Sequence, residues 1–189
     1  MIRVRPFDSL SAIAVFRQLD PSDQLEAELV RGAPSPALDL FADWRAATRG
    51  SLMNLVAETA GGTPFAVLTL AHSGQYGVAE AALLARDHAR FRRPLAELAL
   101  AIRQRMPDWC AEQGVRRIEA RTWAGHPTAA RLLAAIGFAC EADLPGFGPD
   151  GRQHFRQFAW ISPATFAPAQ TPPADPDTNP ATHPEGSLL

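Results

Sequence analysis

Arg116-Arg117-Ile118-Glu119-Ala120-Arg121, followed by Pro127-Thr128-Ala129-Ala130-Arg131-Leu132-Leu133-Ala134-Ala135-Ile136-Gly137-Phe138, is the stretch whose reading decides the fold. The first part alternates polar and apolar side chains and predicts a strand over 116–122. The second predicts a short amphipathic helix from Pro127 to Ile136, stopped at Gly137. After Gly137-Phe138 the pattern returns to strand, turns around Pro149-Asp150-Gly151 and forms a last hairpin.

Upstream, Val78 to Ala85 is apolar except for Glu80 and predicts a strand buried on both faces. A long helix over 95–112 follows, opened by Pro94 and kinked or broken by Pro107 near Arg105. A helix lying between two strands implies parallel pairing at the centre of the sheet. The N-terminal half supplies a strand at Ile2-Arg3-Val4-Arg5-Pro6 and a helix capped by Asp8 or Ser9 and running to about Leu19. A helix over 24–31 and another over 37–48 follow, then a hairpin of strands 52–58 and 65–71. The fold class is α/β, a mixed and mostly antiparallel sheet with a central parallel strand pair, flanked by helices.

A chain of 189 residues, 47% hydrophobic and with a net charge of -2, is long enough to bury a core within one domain. We expect that domain to span residues 1–161. Residues 162–189, rich in Pro, Ala, Thr and Asp, read as a disordered tail. No apolar run is long enough for a membrane helix. The N-terminus lacks the secretory pattern, so a cytoplasmic location is expected. The near-neutral charge disfavours nucleic acid as the main partner. Two cysteines, Cys110 and Cys140, are too few for a disulfide scaffold and read as small buried hydrophobes; no spacing predicts a metal site. The chain contains no lysine, so phosphate recognition falls to Arg, His or backbone N–H groups.

The order of elements and the helix ending in Ile136-Gly137-Phe138 resemble the GCN5-related N-acetyltransferase (GNAT) superfamily over residues 1–160, most strongly over 78–140. The Arg-rich turn and small N-terminal helices are most similar to its phage-type subgroup. The resemblance implies that the fourth strand, 78–85, splays from the fifth and that acetyl-CoA, the acyl donor, lies in the gap. Pantetheine would pair with the fourth strand, and the backbone of residues 82–85, among them Leu83, Leu84 and Ala85, would polarise the thioester. The pyrophosphate would sit on the N-terminus of the next helix. The phosphate loop of the family is matched loosely by Arg90-Phe91-Arg92-Arg93-Pro94-Leu95-Ala96, where Arg93 replaces a glycine and Pro94 removes a donor. Arg90, Arg92 and Arg93 would supply bidentate phosphate contacts, or serve as a basic turn toward solvent or an acidic partner. Leu95 and Ala96 complete the loop. His126 stands at the family's Asn position, and Leu133 near the position of the Tyr that protonates the leaving thiolate.

Glu80, a lone charge in an apolar strand, is a candidate general base; it would equally serve as a surface ion-pair member. His88, at the end of the same strand beside Asp87, is a second candidate base or a cap. The resemblance implies an acetyl-CoA-dependent N-acetyltransferase acting on an unspecified amine. The missing Tyr, the altered loop and the Pro-rich tail fit an alternative: a structural or adaptor protein of a phage, prophage or phage-like particle, with virion or particle proteins as partners. An exposed sheet edge at the C-terminal hairpin would permit a homodimer.

Overall fold

The computed structural model describes residues 1–163. The expected tail thus lies almost wholly outside the described residues. The elements are β1 (Ile2–Pro6), α1 (Ser9–Phe16), α2 (Pro21–Arg31), α3 (Ala37–Ala47), β2 (Ser51–Thr59), β3 (Pro64–His72), β4 (Val78–Ala85), α4 (Arg92–Gln113), β5 (Arg117–Trp123), α5 (Ala129–Ile136), β6 (Ala139–Phe147) and β7 (Gln153–Ile161). The seven strands form one sheet in the order β1-β2-β3-β4-β5-β7-β6. Every neighbouring pair is antiparallel except β4 and β5.

Strand alternation sends side chains to two faces. Ala79, Ile118, Ala120, Phe158 and Trp160 pack with Ala99, Met106 and Cys110 of α4 and Ile136 of α5. Phe65, Ala66, Leu68 and Ala85 extend this layer toward Leu95 and Leu98. On the opposite face Val56 and Val67 meet Ala12, Val15 and Phe16 of α1 and Leu40 of α3. Phe16 anchors that layer through edge contacts with Phe41 and Trp44, at 5.9 and 5.7 Å. The opposite layer does not cover all of β4, and Glu80 and Ala82 are exposed. The expectation of a strand buried on both faces therefore fails at these two positions.

Three other expectations are corrected. α4 starts at Arg92, which puts Pro94 in the first turn, where a missing N–H is harmless. The helix also runs unbroken past Pro107, held on both sides of it by buried Met106 and Cys110. α1 ends at Phe16, three residues short of Leu19, which instead bridges to Arg86 beyond β4.

Two glycines fix the centre of the sheet. Gly77, at φ +75°, accepts the amides of Arg116 and Arg117 at 2.8 and 3.1 Å, which sets the start of β5 against the start of β4. A Cβ there would lie 2.9 Å from the Arg116 Nε. Gly137, at φ +112°, ends α5, and the amides of Gly137 and Phe138 both return to the Leu133 carbonyl. Gly77→Ala should cost about 1–2 kcal/mol from the left-handed conformation alone, read as a lower urea midpoint with an unchanged slope.

Candidate active site

β4 and β5 pair at only three positions: Val78 with Arg117, Ala79 with Ile118 and Glu80 with Glu119. Past Glu80 the two strands diverge. The Arg86 amide bonds the Phe65 carbonyl at 2.8 Å on the β3 side. By alternation the N–H and C=O of Ala85, and those of Leu83 and Ala81, face the gap toward β5. At the far side of the gap the Ala124 amide goes to His154 of β7, so the Trp123 amide faces the gap.

The open end of this gap is spanned by α2. Its N-cap, Asp20, accepts from the Ser22 amide at 3.0 Å and from the His88 amide at 2.8 Å. The Asp20 amide donates to the Ala85 carbonyl at 2.9 Å. One turn on, Asp23 Oδ2 accepts from the Ala85 amide at 2.6 Å. A further turn on, Glu26 Oε2 accepts from the Trp123 amide at 3.0 Å and the Thr122 hydroxyl at 2.7 Å. Carboxylates at spacing three thus hold the ends of both diverging strands.

Two histidines complete the cluster. His88 Nε2 lies 3.1 Å from Asp23 Oδ1, and its Nδ1 lies 3.0 Å from the Thr128 hydroxyl. His126 Nε2 lies 2.9 Å from the same Asp23 oxygen. The His126 Nδ1 accepts from the amides of Thr128 and Ala129, at 3.3 and 3.0 Å, at the start of α5. Two N–H donors on Nδ1 place the ring proton on Nε2, which therefore donates to Asp23.

Asp23, His88 and His126 offer ligand atoms close enough together to hold a metal ion. The hydrogen bonds oppose it. A metal on His126 Nε2 needs the proton on Nδ1, facing an acceptor, and here two amides face it instead. The cluster fits a hydrogen-bonded carboxylate–imidazole network better than a cation site.

Burial opposes the charge on Asp23, but donation from His126 and His88 and from the Ala85 amide outweighs it and holds the carboxyl below its ordinary range. Burial likewise opposes the charge on His88, yet the hydrogen bond to Asp23 and the charges of Asp23, Asp20 and Asp87 raise its pKa. Glu26 goes the other way: burial, with the Asp23 charge, raises its pKa against the donors Thr122 and Trp123.

The structure brings His88 and His126 together and distributes the other expected residues differently. Glu80 is exposed and lines a small open cavity of about 130 Å³ with Ala81, Glu119, Ala120 and Arg121, where the strands begin to part. Glu119 is already held by Arg117 at 2.6 Å, and Arg117 also bonds Glu141 at 2.9 Å. Arg90, Arg92 and Arg93 are exposed at the start of α4. Between them Phe91 is buried and stacked on Phe65 at 5.7 Å, which turns the arginines outward. The Asp87 carboxylate accepts the Arg90 amide at 2.9 Å.

Four expected cofactor contacts have other partners. The Ala85 amide and carbonyl are taken by α2. Leu84 packs under α1 and α3, and Leu95 is buried core whose amide closes the first turn of α4 on Phe91. Leu133 leans on the core from α5. Leu83 keeps its backbone toward the gap, and Ala96 is exposed on α4. Of the cysteines, Cys110 is buried, with its thiol pushed up to about 11, whereas Cys140 is exposed, against the expectation for it. Sequence reasoning does not find Asp23 and Glu26. Asp20-Pro21-Ser22-Asp23 reads as a helix start, and nothing local signals partners 62 to 103 residues away.

The strand order, the single parallel pair and its divergence after three residues have solved counterparts. The fold is that of the GCN5-related N-acetyltransferases. A GNAT-family acetyltransferase from Bacillus anthracis superposes with a TM-score of 0.64 at 13% identity, covering 85% of this chain and 94% of that one. A GNAT-superfamily phosphinothricin acetyltransferase from Sinorhizobium meliloti, solved with AcCoA, gives 0.62 at 14% identity over 94% and 97%. Spermidine N-acetyltransferase from Vibrio cholerae, solved with CoA and spermine, gives 0.63 at 15% over 85% and 95%. No protein-family profile matches the sequence, and no curated protein matches it. Among the described residues no helix is long and apolar enough to cross a membrane.

The pH dependence of stability follows from His88. Its raised pKa means that its contribution is complete below the ordinary value of 6.5 and is lost as pH rises through the folded value. Asp23, with a lowered pKa, contributes above 3.8 and fails as pH falls through its folded value. The melting-temperature difference between wild type and His88→Gln should be greatest near pH ~6 and shrink toward pH ~9. A difference constant across that range would show that the His88 charge does not contribute.

Proposed function

We propose that this chain is an acetyl-CoA-dependent N-acetyltransferase that passes acetyl directly from the thioester to an amine. The observation that carries this reading is the divergence of β4 from β5 after Glu80, within a GNAT fold. It leaves a strand edge, at Leu83 and Ala81, free to pair with an extended amide-bearing ligand. It also points that edge at the start of α4, where three exposed arginines and the helix N-terminus suit phosphates. The S. meliloti and V. cholerae proteins, solved with AcCoA and with CoA, support the same donor here.

With the pyrophosphate at the arginine turn and pantetheine along β4, the thioester end points to where the strands rejoin. Glu80 lies there. The neutral amine attacks the carbonyl carbon, Glu80 takes its proton directly or through water, and the C–S bond breaks. The leaving thiolate needs little help, since a thiol titrates near ~8.5, and water can protonate it where Leu133 replaces a Tyr. His88 has both ring nitrogens engaged, so it serves as a positioning group and leaves the base role to Glu80.

One observation favours a second reading. The Ala85 backbone is already occupied by α2, as in a fold retained as a scaffold or particle adaptor without CoA. Isothermal titration with CoA separates the two, since a non-catalytic scaffold gives no heat at millimolar ligand. Under the enzyme reading, Arg92→Ala and Arg93→Ala should each weaken CoA binding about tenfold, as expected for loss of a charge-assisted phosphate contact. Glu80→Gln should lower kcat about a hundredfold in a thiol-release assay against a panel of amines, with CoA affinity unchanged. Equal turnover in wild type and Glu80→Gln would remove Glu80 from the mechanism.

A further inference from the structure

The α2 helix is attached unusually for an element of a folded domain. Among its residues only Asp23 is buried. Leu25 and Val30 are exposed, by 41% and 64%, and Ala27 is its one side chain packed against the α1–α3 layer. α1, by contrast, buries Ala12, Val15 and Phe16. What holds the N-terminal half of α2 is polar: the Asp20 amide on the Ala85 carbonyl, Asp23 on the Ala85 amide and both histidines, and Glu26 on Trp123 and Thr122. These bonds are taken from the edges that divergence of β4 and β5 exposes. Glu26 also gives up hydration to make them, as its raised pKa reflects.

From this we infer that α2 is a latch: its carboxylates occupy the backbone groups of β4 and β5 that pantetheine would use, and ligand entry requires α2 to swing out. The inference rests on the CoA-binding reading above. Two chains cannot use one amide, so a ligand pairing at Ala85 must displace both Asp20 and Asp23 there. Pantetheine supplies an amide and a carbonyl that can take over the Ala85 carbonyl and amide, a neutral bond replacing the charge-assisted one to Asp23. Opening uncovers little apolar surface, so its cost lies in the polar network, which the bonds made by the ligand offset in part. Gly32, in the left-handed conformation at the C-terminus of α2, the Gln24 side-chain amide donating to the Ser35 carbonyl at 2.7 Å and the Ser35 amide donating to Glu28 at 3.3 Å tie the helix to the loop before α3. That loop is the natural pivot.

Hydrogen–deuterium exchange on the full chain, with and without saturating CoA, reads the latch directly. Amides of residues 21–31 should exchange at least ~tenfold faster when CoA is bound, while those of β2 and β3 stay unchanged. Binding of CoA with α2 exchange unchanged or slowed overturns the latch and leaves the acetyltransferase reading standing. Two variants cover the case in which wild type binds too weakly to saturate. Glu26→Ala removes a half-buried carboxylate without touching the core, and Asp23→Asn places an N–H against the His126 donor. Each should bind CoA about tenfold tighter than wild type, given a cooperative melt that shows it is folded. If both folded variants bind no better than wild type, the latch is wrong. If wild type and both variants show no heat at millimolar CoA, the CoA reading falls with it.

Discussion

β4 and β5 run side by side for three residues and then part, and the backbone groups past that point must be satisfied by something other than the sheet. An amide left bare in a buried place costs about 1–3 kcal/mol, so a partner at the end of each strand stabilises the fold. α2 answers that demand at Ala85 and Trp123, with the carboxylates of Asp23 and Glu26 and the amide of Asp20, and leaves the edge at Leu83 and Ala81 open. The histidines answer the next one: Asp23 faces the Ala85 amide and two imidazole Nε2 atoms, which keeps its charge in a buried place. The positions of α2, of the β4–α4 turn and of the start of α5 all follow from the same short pairing.

The two sides of the cleft are built by different physics. On the α4 side the turn is anchored by aromatic burial, with Phe91 on Phe65, and by the Asp87 carboxylate on the Arg90 amide. On the α2 side the anchoring is almost entirely hydrogen bonds and charge, with little apolar area beneath. Apolar burial resists small changes of solvent and ligand; hydrogen bonds exchange with any partner of matching polarity. A basic turn fixed by aromatic burial, facing a helix held by hydrogen bonds, would suit the proposed capture of a long ligand from one end.

Much of this architecture was legible in the residues. The period of two in Arg116 to Arg121, the amphipathic turn ending at Gly137 and the Pro149-Asp150-Gly151 hairpin signal local preferences that tertiary structure did not override. β4 was bounded correctly but misjudged in burial, because an apolar run does not say whether a helix covers it; Glu80 and Ala82 lie where none does. The candidate site was less legible. Glu80, His88 and His126 stand out as rare groups in apolar or terminal positions. Asp23 and Glu26 look like ordinary acids at the start of a helix, and their partners are set only when β4 and β5 part. Pro107 shows the converse: a strong local breaker was outweighed by the burial of Met106 and Cys110 beside it.

The stacking of Phe91 on Phe65 has a kinetic meaning. With the ring buried, the backbone of the turn that carries Arg90, Arg92 and Arg93 is fixed before an anion arrives, so only their side chains need order. Under the acetyl-CoA proposal, three cations at that mouth would draw a polyphosphate in from beyond contact distance, so their first effect would fall on the association rate and be screened by salt. The phosphate end would then dock first and hold the rest of the ligand at high local concentration beside the helix it has to move.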